Sequence, residues 1–202
     1  MTSYLAGLGL GLSLIVAIGA QNLFVLRQGI RREYVWLVVG ICAVSDAVLI
    51  AAGVAGVGAV VTSHPGVLTG VRWAGAAFLL VYGLLAAKRA WRPGVLKADG
   101  AAPVVGASRA FPVAMACLAI TWLNPHVYLD TVFLVGTVAA THALPWVFAA
   151  GAMTGSVLWF TGLGFGARAL APVLATERAW RVLDAIIAVV MIALALGLVL
   201  SA

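Results

Sequence analysis

The residues able to do chemistry in this chain are few, and they stand in unexpected surroundings. Asp46 lies in "AVSDAVLI" and Asp130 in "HVYLDTVFL", each a carboxylate in a mainly apolar neighbourhood. An ionised carboxylate at the centre of a hydrocarbon layer costs about 2.5–3.5 kcal/mol on insertion scales, so two cost about 5–7 kcal/mol. Apolar packing offers nothing to offset that. Each acid must therefore pair with a built-in cation or face a wet site visited by protons or a positively charged ligand. Arg27 is the closest basic candidate partner for Asp46, and His126 stands four residues before Asp130. Asp46–Arg27 or Asp130–His126 pairs that only fix packing are thus the alternative to a role in handling cargo.

Neutral polar groups accompany the acids. In "TWLNPHVYLD" (Thr121–Asp130) the Asn124–Pro125 pair sits inside an apolar run. Proline lacks a backbone N–H, so the Thr121 carbonyl loses its helical partner. A freed backbone group in lipid must be satisfied by protein or water. The run Ala110–Ala139 would measure about 45 Å as straight helix at about 1.5 Å per residue, more than a hydrocarbon core of about 30 Å. A helix broken near Asn124–Pro125 and lining a polar cavity fits both facts; a kink satisfied by neighbouring helices is the simpler reading. Gln21 and Asn22 in "IGAQNLF" follow Gly19 and Ala20, which permit local unwinding. Alone they read as helix–helix glue; paired with Asn124 they become the second half of a site. Unwound helix ends would present N–H groups to a carboxylate while the aspartates receive cationic groups. That geometry suits an amino acid with a basic side chain.

The elements that must position these groups are membrane helices. Of 202 residues, 64% are hydrophobic and 9% charged, and the mean hydropathy is +1.15; a water-soluble domain is nearer half apolar and a quarter charged. Six runs reach the roughly 20 residues a helical span requires: Tyr4–Leu26, Val35–Val61, Gly66–Ala90, Ala110–Ala139, Ala143–Leu170 and Ala179–Leu200. The expectation is a single membrane domain over 1–202. The runs are apolar all round, which excludes the alternating pattern of a β-barrel. The first run lacks the basic n-region of a signal peptide and is too long for its h-region. Cys42 and Cys117 both fall inside runs and read as small packing residues, not a disulfide framework or metal site. No P-loop, dinucleotide fingerprint or metal-ligand cluster is present, so neither a cofactor nor soluble-enzyme chemistry is expected. Gly7/Gly11, Gly53/Gly56/Gly58 and Gly162/Gly164/Gly166 form small-residue faces for tight helix packing. Trp36, Trp73, Trp91, Trp146 and Trp180 lie near run ends, as an interfacial belt requires.

The net charge of +6 could suggest nucleic acid, but its placement argues otherwise. With six spans, eleven of the twelve basic residues fall on one side, leaving Arg72 opposite. The positive-inside rule puts that side in the cytoplasm and both termini outside. The two halves also resemble one another. "IGAQN" (Ile18–Asn22) sits against "TWLN" (Thr121–Asn124), "GICAVSD" (Gly40–Asp46) against "GAMTGSV" (Gly151–Val157), and "RWAGAA" (Arg72–Ala77) against "RVLDAI" (Arg181–Ile186), in the same order. Three spans repeated in tandem enter the membrane from opposite sides, as in the inverted repeats of many secondary transporters. The expected organisation is repeat one over about 4–90, a cytoplasmic linker at 91–109 and repeat two over about 110–202, with broken helices at Gln21–Asn22 and Asn124–Pro125.

"GAQNLFVLRQGIRR" (Gly19–Arg32), "AVSDAVLIAAGVAG" (Ala43–Gly56), "TWLNPHVYLDT" (Thr121–Thr131) and "WRVLDAIIAVVMIALAL" (Trp180–Leu196) together resemble the lysine/arginine exporter family, the LysE/ArgO group, and most of all its arginine-exporter branch. The resemblance implies efflux of L-arginine, L-lysine and toxic analogues across the bacterial inner membrane, and a requirement for the aspartate pair Asp46 and Asp130. The resulting expectation is a secondary-active, alternating-access exporter. Asp46 and Asp130 meet the cationic substrate or exchange protons, and Gln21, Asn22 and Asn124 hold its α-amino and carboxyl end. Pro125 and His126 form the broken region, and Arg27 is a possible charge partner. Partners beyond the substrate are membrane lipid, protons as the coupling ion, and a second copy in a homodimer. Export of a neutral amino acid such as homoserine or threonine is the nearest rival. An intramembrane aspartyl protease, which also uses two membrane carboxylates, is more distant, since the GxGD pattern of those enzymes is absent.

Overall fold

The computed structural model describes residues 1–16, 19–56, 65–91, 107–170 and 176–200, with residues 65, 67, 68, 107–109, 170 and 177 described by backbone alone. Most of the expected linker (92–106), the end of the second run (57–61) and Ile18 of "IGAQN" lie outside these residues. All regular structure among the described residues is helical: α1 Thr2–Ile15, α2 Ala20–Arg31, α3 Val35–Val54, α4 Pro65–Trp91, α5 Ala107–Trp122, α6 Pro125–Ala140, α7 Pro145–Gly166 and α8 Glu177–Leu200, with a 3₁₀ turn at Ala167–Leu170.

Four helices, α3, α4, α7 and α8, are each long and apolar enough to cross a membrane. The other four form two bent pairs, α1 with α2 at 83° and α5 with α6 at 57°, so the chain offers four to six spans. Both bends occur where polar residues interrupt an apolar run. The first lies slightly earlier than expected, because Gln21 and Asn22 already belong to the first turn of α2. Its helix starts behind Gly19, whose extended backbone (φ −131°, ψ −179°) ends the turn that α1 would have continued. The second lies where expected, with Asn124 extended (ψ 110°) and Pro125 opening α6. A proline is well placed there, since the first helical N–H has no partner in any case. The Thr121 carbonyl freed by Pro125 accepts from Asn124 N at 3.4 Å, so a tighter turn meets the need.

Helix α2 also runs further than the first apolar stretch. It closes with Arg32 N bonded to Gly29 O and Glu33 N to Gln28 O, while Arg32 takes the left-handed conformation (φ 56°); that is the double bond pattern of a Schellman turn. Arg27 is therefore a buried residue inside α2 and not part of a loop.

The bundle is apolar outside and carries its polar groups inside. Along α3, Val38, Cys42, Asp46, Leu49 and Gly53 face inward, whereas Trp36, Val44 and Val48 are exposed. An apolar outward face is what lipid demands. Backbones approach closely along several seams. Gly7 and Gly11 of α1 leave room only for the backbone of Phe148 and Ala152 in α7, and Gly151 for Tyr4. On the other side, Gly53 of α3 abuts Val132 and Gly136 of α6. Helices α4 and α8 pack along most of their length.

Candidate functional site

A cavity of about 420 Å³ opens between the two breaks. Gly19, Ala20, Gln21 and Asn22 of the first break line it, as do Asn124, His126 and Asp130 of the second, Asp46 of α3, and apolar residues including Phe78, Leu79 and Phe160. Its volume is within the range of small-molecule sites. Six expected site residues thus meet in one space: Asp46, Asp130, Gln21, Asn22, Asn124 and His126. Pro125 is buried at the break behind them.

The two carboxylates have different surroundings. Asp46 is buried (5% exposed) and accepts a 2.6 Å hydrogen bond from Ser156 Oγ of α7. Neighbouring Ser45 accepts from Trp122 Nε1 at 3.1 Å, tying α3 to the end of α5. Asp130 is exposed to the cavity side, and among the described residues it has no ion-pair or side-chain hydrogen-bond partner. It lies in a π-helical segment, Tyr128–Leu134, whose wider turn bonds Val135 N to the Asp130 carbonyl. Such turns are rare and occur frequently at functional sites. The packing pairs that stood as the alternative are not formed. Asp130 and His126 make no ion pair, and Arg27 binds Asp184 (3.2 Å) and not Asp46. The correction has a simple cause: Arg27 is five residues past Asn22 on α2, where α8 and not α3 offers a carboxylate.

The neutral groups divide into fastened and unfastened. Asn22 spans its break, donating from Nδ2 to Ile15 O at 2.8 Å and accepting from Trp159 Nε1 at 3.1 Å. Asn124 caps α6, its side chain accepting from His126 N at 3.1 Å. Tyr128 reaches back to the Trp122 carbonyl at 2.8 Å. Gln21, by contrast, has a buried Nε2 with no nitrogen or oxygen partner among the described residues, its side chain lying beside the Cys42 thiol. At the start of α2 no side chain caps the helix, and the first backbone bond runs from Leu23 to Gly19. The N–H groups of Ala20 and Gln21 are left outside the helical ladder, at the positive end of the helix dipole. The cavity therefore offers donors for an anionic group at one wall and carboxylates for a cationic group at others.

Sequence reasoning missed Ser156, Trp159, Trp122 and above all Asp184. Asp184 was visible as an acid at the head of an apolar run, in "RVLDAI", the same signal that singled out Asp46. In the sequence it serves only as a landmark of the repeat.

The chain matches the family model described as LysE type translocator over residues 12–202. It is 52% identical over 187 residues to a Mycobacterium tuberculosis protein described as a candidate amino-acid transporter, covering 91% of this chain and 90% of that one. It is 43% identical over 193 residues to the arginine exporter protein ArgO of Klebsiella pneumoniae, covering 94% and 90%. With the ArgO of Salmonella enteritidis it shares 43% over 191 residues, covering 93% and 89%. No solved structure matches it.

Proposed function

This chain belongs to the LysE type translocator family, and we propose that it exports cationic L-amino acids, arginine or lysine and their toxic analogues, from the bacterial cytoplasm across the inner membrane. The observation that carries this reading is one cavity lined by Asp46, which has a neutral partner, and by Asp130, which has none among the described residues, beside the uncapped start of α2 and Gln21. Two carboxylates without a built-in cation are costly in lipid unless positive charge visits them. In a bound basic amino acid the α-carboxylate meets Gln21 and the N–H groups of α2, and the guanidinium or ammonium meets the aspartates. A neutral amino acid would leave an aspartate without its counter-charge, which disfavours homoserine or threonine. The ArgO relatives carry arginine export in their names.

The mechanism in this reading is alternating access between two inverted repeats of α1–α4 and α5–α8, forming one membrane domain. The breaks occupy equivalent places, each in the first span of its half. Close glycine contacts between the halves correspond as well: Gly29 of α2 meets Gly164 of α7, and Gly136 of α6 meets Gly53 of α3. With six spans the positive-inside rule puts both termini outside. Asp130 is the proton-exchanging group.

Cells or vesicles loaded with labelled arginine and expressing the protein test this. Asp46→Asn and Asp130→Asn at matched expression are each expected to cut efflux by about tenfold or more, the effect of losing about 1.4 kcal/mol or more of charge stabilisation. Full efflux in both variants would remove the carboxylates from the mechanism.

A further inference from the structure

Away from the cavity, Asp184 of α8 is shared by two arginines. Arg27 Nη2 of α2 lies 3.2 Å and Arg89 Nε of α4 lies 3.3 Å from its Oδ1. The Arg27 and Asp184 side chains are 8% and 11% exposed. Resting on the export reading, we propose that the Arg27–Asp184 contact is the latch that closes the cytoplasmic end of this cavity, with Arg89 competing for the same carboxylate oxygen, and that transport requires the latch to break.

Position is the first argument. The cluster ties together α2, α4 and α8, whose other parts (Gly19–Asn22, Gly75–Leu79, Ala193–Leu198) wall the cavity. It lies at the end of these helices that also carries Arg31, Arg32, Lys88, Arg178 and Arg181, the cytoplasmic end by the charge rule. A continuous stack leads there from the cavity wall. Phe78 neighbours Tyr82 at 6.3 Å, Tyr82 meets Phe24 of α2 at 6.1 Å, and Arg89 lies 5.8 Å over the Tyr82 ring.

Charge is the second. Two cations share one anion, and Arg27 Nε and Arg89 Nη2 are buried with no hydrogen-bond partner among the described residues. A permanent staple would match its charges, because a buried unpaired donor is expensive. An unbalanced cluster holds each arginine less firmly than a simple pair would.

The third argument is the inequality of the two contacts. Helix α8 packs along α4 over most of its length but touches α2 only locally, and Arg181 Nε of α8 also bonds Ala90 O at the end of α4 at 3.0 Å. Losing Arg89–Asp184 would leave α4 and α8 together. Losing Arg27–Asp184 removes the ion pair that joins α2 to α8 and leaves α2 packed on α7, where Gly29 meets Gly164.

Opposite effects of the two arginines follow. In a Cys42→Ala/Cys117→Ala background, Ala119→Cys places one thiol in the cavity wall, and a membrane-impermeant thiol reagent is applied to inside-out vesicles. Arg27→Gln is expected to raise the labelling rate by more than about threefold, the mark of a shifted open population. Arg89→Gln leaves a one-to-one Arg27–Asp184 pair, tightens the latch and lowers the rate. A smaller rise in Arg27→Gln, or a shift in the same direction in both variants, overturns the proposal, since a structural staple weakens alike from either side. Should Arg27→Gln fail to yield folded protein, Arg89→Gln decides alone: a fall supports the latch, and a rise or no change rejects it. Labelling needs no substrate, so this outcome is separate from whether arginine is the cargo.

Discussion

Two adjacent amides, Gln21 and Asn22, show how residue type and residue role separate. In the sequence they are equivalent polar interruptions of a greasy run. In the fold Asn22 is committed, its amide and carbonyl holding Ile15 and Trp159 across the break. Gln21 keeps a buried donor beside the cavity with no nitrogen or oxygen partner among the described residues. Their alanine variants are therefore expected to fail differently. Asn22→Ala strands a part-buried carbonyl and an indole N–H, each costing up to about 1–3 kcal/mol, so it lowers the melting temperature in detergent. Gln21→Ala melts near the parent but weakens arginine binding by about tenfold, the loss of about 1.4 kcal/mol of interaction. Thermal unfolding followed with and without arginine checks both. Equal melting of the two variants, or no change in the arginine-induced shift for Gln21→Ala, would put the site elsewhere. Such a division could not be read from the chain, because it depends on Ile15 lying across a bend and on Trp159 arriving from α7.

At the scale of elements, the legible part was whatever a local rule governs. Asn124–Pro125 announces its break through the missing N–H of proline, and the structure turns there. The break before Gln21 was placed a few residues late, since glycine permits an interruption without fixing its position. The π-helical segment Tyr128–Leu134 gave no signal at all: "YLDTVFL" reads as ordinary helix. What accompanies it is a tertiary contact, the backbone of Val132 and Gly136 against Gly53 of α3. No window of sequence contains that contact. A methyl group at Gly53 would meet the Val132 carbonyl and push α6 away from α3, whereas one at Gly162 of α7 meets nothing. Gly53→Ala is accordingly expected to destabilise by about 1–3 kcal/mol, the usual cost of overpacking, and to slow efflux because it displaces the segment that carries Asp130. Gly162→Ala should match the parent or gain slightly, as alanine is the better helix former by about 0.5–1 kcal/mol. Melting and efflux measured side by side decide it, and equal effects at the two glycines would dismiss the seam as a determinant.

For the molecule as a whole, composition alone established a helical membrane protein, and the apolar exterior of α3 and its neighbours agrees. The charge count needed one repair, since Arg27 is an interior residue with a partner of its own. What composition could not supply is the energetics of expelling a cation. Against a negative-inside potential each positive charge costs about 2.3 kcal/mol per 100 mV, equivalent to about a fiftyfold gradient. An incoming proton for each outgoing cation cancels that charge movement, and in the proposed mechanism Asp130, which lines the cavity, carries it. Reconstituted vesicles separate the possibilities. With labelled arginine inside, an acid exterior should speed efflux, and clamping the potential with valinomycin and potassium should change it little. Asp130→Asn should abolish the response to pH while arginine–arginine exchange persists, because exchange needs the substrate to return but no proton. If the potential alone sets the rate and the pH gradient does nothing, the protein is a uniporter, and Asp130 serves the cargo and not the proton.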